Sequence, residues 1–197
     1  MSDALFDEDD HANTPLTPAE REGLIPTYIT TRAELNEAEQ ENIGEADQWA
    51  FSRRRGDVLD VGFLLNLHRR MLGRVWRWAG AFRKTERNIG IAPHLIEVQL
   101  HQLLGDVRYW VEHETYPPDE IAVRFHHRLV AIHPFPNGNG RHARLAADLL
   151  VTRLGRPQFT WGSKNLVEPA ETRRAYVRAL QAADGNDIGP LLAFART

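Results

Sequence analysis

Residues 133–144 read HPFPNGNGRHAR, and this stretch decides how the chain on either side of it is organised. Its two prolines end one helical pattern, and its two glycines open the next. Glycines let backbone N–H groups approach an anion closely, and the N-terminus of the new helix adds the positive end of its dipole. Arg141 and Arg144 are spaced to project from neighbouring helical positions, and His133 is a candidate general base. The stretch therefore predicts an anion-binding loop between two helices.

Taken without its neighbours, such a loop has a second interpretation. A glycine-rich turn followed by arginine is often a helix start whose charges are simply solvated. The phosphate loop of nucleoside triphosphatases, Gly-x-x-x-x-Gly-Lys-Ser/Thr, does not occur in the chain. Spacing alone thus leaves both interpretations open.

Outward from this loop, apolar residues recur at three- and four-residue spacing and predict an all-α fold. The segment between 81 and 93 alternates poorly and ends in proline, so it predicts a small β-hairpin or extended flap. The first 22 residues are acidic and lack a period, which predicts a flexible lead-in before a single domain over 23–197. The predicted helices cover 31–51, 64–78, 96–110, 121–132, 139–154, 176–180 and 188–195.

Composition narrows the classes of function. The 197 residues carry a formal net charge of −3 and no cysteine, which excludes disulfides, thiolate metal sites and a cysteine nucleophile. The charge gives no reason to expect nucleic-acid binding, and the absence of a membrane-length apolar run or signal peptide predicts a cytoplasmic protein. Adjacent helical histidines diverge, so we interpret His126 and His127 as packing or surface residues and not as metal ligands.

The twelve-residue stretch resembles the signature of the Fic family, His-x-Phe-x-Asp/Glu-Gly-Asn-Gly-Arg-x-x-Arg, at every fixed position except 137. The similarity covers roughly residues 24–194, and within the family the chain looks closest to the branch called mobile mystery protein B. This resemblance implies a Fic-type helical bundle with a β-hairpin flap. It also implies transfer of AMP from ATP to a Ser, Thr or Tyr hydroxyl of a target protein.

The same resemblance implies roles for individual residues. His133 would deprotonate the target hydroxyl. The phosphates of ATP would be held by Gly138, Asn139, Gly140, Arg141 and Arg144, with Arg144 on the γ-phosphate. The target would add a strand to a docking flap formed by Arg83, Asn88, Ile89, Gly90 and Ile91. For Tyr176, an adenine-pocket role and simple packing are equally compatible with the sequence.

Asn137 is the departure from the family pattern, which places Asp or Glu there to hold Mg²⁺. A neutral amide oxygen is a weaker ligand for this hard cation than a carboxylate. The sequence therefore predicts that Mg²⁺ takes part, but with reduced affinity at Asn137.

Helix 31–51 is a candidate inhibitory helix. In many Fic proteins a glutamate on such a helix pairs with the second arginine of the signature. The family pattern points to Glu41, whereas helical geometry favours Glu39, which shares a face with Leu35, Asn42 and Ile43. A solvated acidic face is the alternative.

Two further functions stay open. The chain could be another Fic-type phosphoryl transferase, such as the kinase activity of the related Doc toxins, although their motif has Lys where this chain has Gly140. It could also be a non-catalytic nucleotide-binding module with an antitoxin-like partner.

Overall fold

The computed structural model describes residues 16–52, 56–163 and 169–197, and within these ranges the chain forms helices and no strand. The all-α prediction is therefore confirmed. No helix among the described residues is long and apolar enough to cross a membrane. The helices are α1 (Pro18–Arg21), α2 (Arg32–Phe51), α3 (Val61–Leu72), α4 (Ile96–Glu112), α5 (Pro118–Ile132), α6 (Asn139–Arg153), α7 (Pro169–Asp184) and α8 (Gly189–Arg196), with a 3₁₀ turn at Pro93–Leu95.

The helices α5 and α6 form the centre of the bundle and pack against each other. The α4 helix covers α5, α3 packs on α6, and α2 packs on α3. The α8 helix packs on α5, and α7 is joined to α5 through side chains. The apolar stripes of these helices are buried, as Leu67, Val107 and Phe125 illustrate. Because α5 and α6 are consecutive, the loop at 133–138 is held at one end of the most enclosed pair of helices.

The helix predicted over 64–78 ends earlier in the structure than its apolar stripe indicates. The α3 helix ends at Leu72, and Gly73 follows at a position where a Cβ atom would lie 2.4 Å from the Arg69 carbonyl oxygen. Beyond it, the Ile25 N–H donates to the Val75 carbonyl at 2.8 Å, so this segment pairs with the N-terminal chain. The stripe continues because Val75 is buried, although residues 75–77 pair through their backbone with residues 23–25 and are not helical.

The predicted β-hairpin flap does not form among the described residues. Residues 83–92 form an irregular loop in which Asn88, Ile89 and Gly90 are exposed. The buried guanidinium of Arg83 donates to the carbonyl groups of Thr85 and Ile91, one on each limb of the loop. These side-chain bonds join the two limbs of the loop, and no backbone hydrogen bond connects the limbs within the described residues.

The N-terminal chain is ordered earlier than the predicted lead-in suggests. Residues 18–21, assigned to that lead-in, form α1, which begins with a capping box between Thr17 and Glu20. The Glu20 carboxylate also pairs with Arg87 in the loop 83–92, and both side chains are largely buried. Residues 1–15 lie outside the described part of the chain. The chain near residue 20 therefore helps to hold the loop 83–92 in place.

Candidate functional site

The loop after α5 takes its shape from two left-handed residues and one side-chain amide. His133, with φ of 54°, ends α5, and Gly138, with φ of 80°, precedes α6. The Asn139 side chain accepts from the Phe135 N–H at 2.9 Å and donates to the Phe135 carbonyl at 2.8 Å. The oxygen and the nitrogen of this amide therefore both brace the loop, and contact of Asn139 with phosphate stays a prediction.

His68 of α3 anchors this loop, and the sequence analysis did not identify it. Its ring stacks on Phe135 with centroids 3.7 Å apart. Its Nδ1 atom lies 2.9 Å from the Gly80 N–H and accepts from it, so Nε2 carries the proton and donates to the Asn137 carbonyl at 3.0 Å. Burial, helped by the charge of His142, holds the pKa of His68 well below its usual range, which keeps this neutral tautomer.

The first turn of α6 presents a positive surface. No side chain caps the helix, so the N–H groups of Asn139, Gly140 and Arg141 have no acceptor within it. A Cβ atom at Gly138 would lie 2.6 Å from the Leu72 side chain, so glycine allows the turn to pack directly on α3. Uncapped N–H groups, the helix dipole and two arginines in the first two turns together form an anion cradle.

The two arginines of the cradle have different partners. Arg141 Nη1 lies 2.7 Å from Glu39 Oε2, and Glu39 Oε1 accepts from Trp76 Nε1 at 2.7 Å. The side chain of Glu41, in contrast, is exposed. The structure therefore brings Glu39 to the site as helical geometry predicted, but places it on the first arginine of the signature. Arg144 instead lies over the Tyr176 ring, with Cζ 5.1 Å from the centroid.

Arg83 has a role different from the expected target contact. Only 2% exposed, it donates from Nε to the His133 carbonyl at 2.6 Å, while its own N–H donates to the Pro134 carbonyl at 2.9 Å. Together with its bonds inside the loop 83–92, these contacts fix that loop against the start of the signature. A Cβ atom at Gly90, where φ is 94°, would lie 2.6 Å from the His133 Cβ, so exposed loop backbone runs directly beside the candidate base.

His133 is held as a neutral imidazole. Burial lowers its pKa to about 4, and the charges of Arg83 and Arg87 lower it as well. A hydrogen bond to the Val130 carbonyl acts in the opposite direction and raises the pKa. The lowered pKa makes His133 a weaker base than an exposed histidine. It also keeps the imidazole in its deprotonated, proton-accepting form throughout the neutral range.

Buried histidines predict a loss of stability in acid. The pKa values of His133 and His142 are about 4 in the folded state against about 6.5 in an unfolded chain, and those of His68 and His126 are shifted the same way. The unfolded chain binds more protons below pH 6.5, so this stability is complete above 6.5 and is lost as pH falls towards 4. The loss is on the order of 3 kcal/mol each for His133 and His142.

Asp47 and Asp148 oppose this trend, because burial raises the pKa of both carboxyls. Burial raises the pKa of Asp148 to about 6, so the folded state binds its proton more readily and gains stability as pH falls from about 6 towards 4. The four histidines outweigh these two carboxyls in number, and we expect urea midpoints to fall steeply between pH 6.5 and 4.5. Midpoints that stay constant over that range would contradict the burial of neutral histidines.

Comparison with known proteins identifies a family and several relatives that the chain resembles. A family model described as the Fic/DOC family matches residues 58–151. The chain is 32% identical over 142 residues to the protein adenylyltransferase fic-1 of Caenorhabditis elegans, an overlap of 70% of this chain and 27% of that protein. It is 34% identical over 137 residues to the protein adenylyltransferase Fic of Drosophila grimshawi, covering 66% of this chain and 26% of that protein.

Solved structures show the same fold. The structure of Fic-1 from C. elegans superposes with a TM-score of 0.67 and 26% identity, covering 89% of this chain and 51% of that one. The BepC protein of Bartonella tribocorum, solved with bound AMPPNP, gives a TM-score of 0.67 at 17% identity, covering 91% and 97%. This chain spans about a quarter of the length of the curated relatives that it matches.

Proposed function

The chain belongs to the Fic/DOC family, and from that premise we propose that it is a protein adenylyltransferase, which transfers AMP from ATP to a Ser, Thr or Tyr hydroxyl of another protein. The observation that carries the proposal is the anion cradle at the start of α6, directly after the loop that begins with His133. The adenylyltransferase names of the relatives and the AMPPNP bound to BepC, on the same fold, support it.

In the proposed reaction, the neutral His133 imidazole accepts the proton of the target hydroxyl. The hydroxyl oxygen then bonds to the α-phosphorus of ATP, the bond from that phosphorus to the α,β-bridging oxygen breaks, and pyrophosphate leaves with the bond electrons. The uncapped N–H groups of Asn139 and Gly140 hold phosphate oxygens, while Arg141 neutralises charge that develops on the leaving group. Arg144 binds the γ-phosphate.

Target docking is proposed to use the exposed backbone of residues 88–90. These residues carry no intramolecular strand pairing among the described residues, so an extended segment of a target can bond to their main chain. Gly90 places that segment beside His133. Backbone hydrogen bonds depend little on the side chains of the bound segment. Selectivity among targets must therefore come from side chains around this loop.

Glu39 is proposed to be an intramolecular brake. Its carboxylate already satisfies the Arg141 guanidinium at 2.7 Å, so an incoming polyphosphate must displace it before Arg141 can act. Asn42 stabilises this arrangement, because its side chain bonds to the Arg70 carbonyl and the Arg74 N–H and fixes α2 against the end of α3.

The described residues do not form a resident Mg²⁺ site. They contain no group of three or more acidic or histidine side chains arranged for a metal. The Asn137 side-chain oxygen accepts from the Gly138 N–H at 2.6 Å, and an amide oxygen brings no negative charge. We therefore propose that Mg²⁺ arrives bound to ATP, with Asn137 as an auxiliary ligand.

Substituting aspartate at this position tests that idea. In Asn137→Asp the carboxylate keeps an acceptor for the Gly138 N–H and adds the charge that Mg²⁺ prefers. We expect the Mg²⁺ concentration that gives half-maximal transfer to fall roughly tenfold. A titration of transfer against Mg²⁺ measures this, and an unchanged or higher half-maximal concentration would contradict a metal role for position 137.

The reaction type itself is tested with ATP labelled separately at the α- and γ-phosphates. Label from the α-phosphate on protein supports AMP transfer, and label from the γ-phosphate alone identifies a kinase. Nucleotide binding without either label identifies a binding module. The cytoplasmic location and the antitoxin-like partner remain predictions.

A further inference from the structure

Arg144 is oriented by an aromatic ring and not by a counter-ion. Its guanidinium lies over Tyr176, and its weak bond from Nε to the Gly140 carbonyl spans 3.4 Å. Within the described ranges no carboxylate oxygen approaches it to ion-pair distance, whereas Arg141 is paired with Glu39. The charge of Arg144 therefore remains available to an external anion.

The residue best placed to neutralise Arg144 is engaged elsewhere. Asp148 follows one helical turn later, at the spacing that favours an ion pair. Both of its carboxylate oxygens accept from Trp161 Nε1, at 3.0 and 3.1 Å, and one also accepts from the Phe159 N–H at 3.0 Å. These bonds turn Asp148 towards the chain after α6 and leave Arg144 to the ring.

The Tyr176 ring is itself held in place through its hydroxyl group. The Tyr176 hydroxyl lies 3.0 Å from His126 Nε2, and His126 is fully buried, with its ring 4.6 Å from that of Trp161. Burial lowers the pKa of His126 well below its usual range and raises that of Tyr176 to about 12, so both groups stay neutral near pH 7. A neutral pair beneath Arg144 does not cancel its charge.

The ring also lies at the phosphate loop. A Cβ atom at Gly140 would be 3.7 Å from the Tyr176 hydroxyl, and one ring face is occupied by the guanidinium. Of the two roles left open for Tyr176 by the sequence, the adenine pocket is therefore not the one that these contacts support.

We infer that Tyr176, fixed by His126, is a positioning residue that holds Arg144 for the terminal phosphate of the nucleotide, and that this pair sets the preference for ATP over AMP. The inference rests on the proposed function, which assigns the γ-phosphate to Arg144. His126 acts only through Tyr176, and neither residue takes part in bond making.

Nucleotide affinity tests this inference. Tyr176→Leu removes the ring but keeps an apolar side chain, and we expect the Kd for ATP to rise about tenfold while the Kd for AMP stays unchanged, since a cation–π contact in a partly desolvated site has that strength. Tyr176→Phe keeps the ring and loses the bond to His126, so a smaller rise is expected. Titration calorimetry on the full chain measures each Kd.

Two controls separate positioning from general damage. Tyr109→Leu makes the same change at an exposed tyrosine of α4 and should alter neither Kd. In an Arg144→Ala background, Tyr176→Leu should add no further loss of ATP affinity, because the group that the ring positions is gone.

Three results would overturn the inference. Equal losses for ATP and AMP would indicate a structural or adenine-binding role, and a further loss in the Arg144→Ala background would show an independent one. A wild-type protein that binds ATP no more tightly than AMP would remove Arg144 from the γ-phosphate. Absence of AMP transfer by a protein that passes the binding tests would instead refute the proposed function alone.

Discussion

Glu39→Gly is expected to raise the rate of self-labelling from α-labelled ATP at least tenfold. The substitution removes the carboxylate that occupies the Arg141 guanidinium at 2.7 Å, so the guanidinium becomes free for the nucleotide. A tenfold change corresponds to about 1.4 kcal/mol, well within what one partly buried charged contact contributes. The measurement is the initial rate of label incorporation at ATP concentrations well below saturation, where displacement of the Glu39 carboxylate limits the rate.

Glu41→Gly is the matched control. It lies two residues further along α2, with its side chain exposed, and carries the same cost of about 1 kcal/mol for glycine inside a helix. We expect no change in its labelling rate. Glu39→Gln adds a second comparison, because its amide oxygen can still accept from Trp76 Nε1 while the charge is gone. If neither substitution at Glu39 increases labelling, the brake is wrong.

Removing the imidazole at position 133 is expected to lower transfer about 1,000-fold or more, the usual contribution of a positioned general base. His133→Ala and His133→Asn should behave alike, and asparagine is the better test because it tolerates the positive φ of 54°. Both variants should still bind ATP, since the cradle lies on α6. Transfer that survives in a folded variant would exclude His133 as the base.

The acid limb of the pH profile gives a second readout of the same group. Because the pKa of His133 is lowered to about 4, kcat/KM should stay nearly level from pH 7.5 to 5.5 and fall only below that. An exposed histidine would instead give a fall centred near 6.5.

Much of the fold follows from local pattern. The stripes of α4, α5 and α6 predict those helices within a few residues, because each buries one face against the centre of the bundle. The α3 stripe misleads beyond Leu72, since the chain around Val75 and Trp76 pairs through its backbone with a segment some fifty residues earlier, around Leu24. Periodicity records that a residue is buried, but not which element covers it.

The site is less predictable, for a similar reason. The resemblance to the family signature identifies His133 and the cradle, but the residues that orient them are remote in sequence: Glu39 lies 102 residues before Arg141, and His126 lies 50 before Tyr176. His68 falls on the apolar face of α3, where a histidine is indistinguishable from a packing residue until its two ring nitrogens are seen to bond to Gly80 and Asn137.

The way in which Arg83 attaches the loop 83–92 bears on which residues of the loop can be changed. Arg83 holds this loop through main-chain carbonyl groups, and the exposed side chains of Asn88 and Ile89 form no hydrogen bond or ion pair within the described part of the chain. Their side chains can therefore be exchanged without altering the path of the chain. On the proposed docking role of this loop, exchange of positions 88 and 89 is expected to change the choice of target without changing the residues at the start of α6.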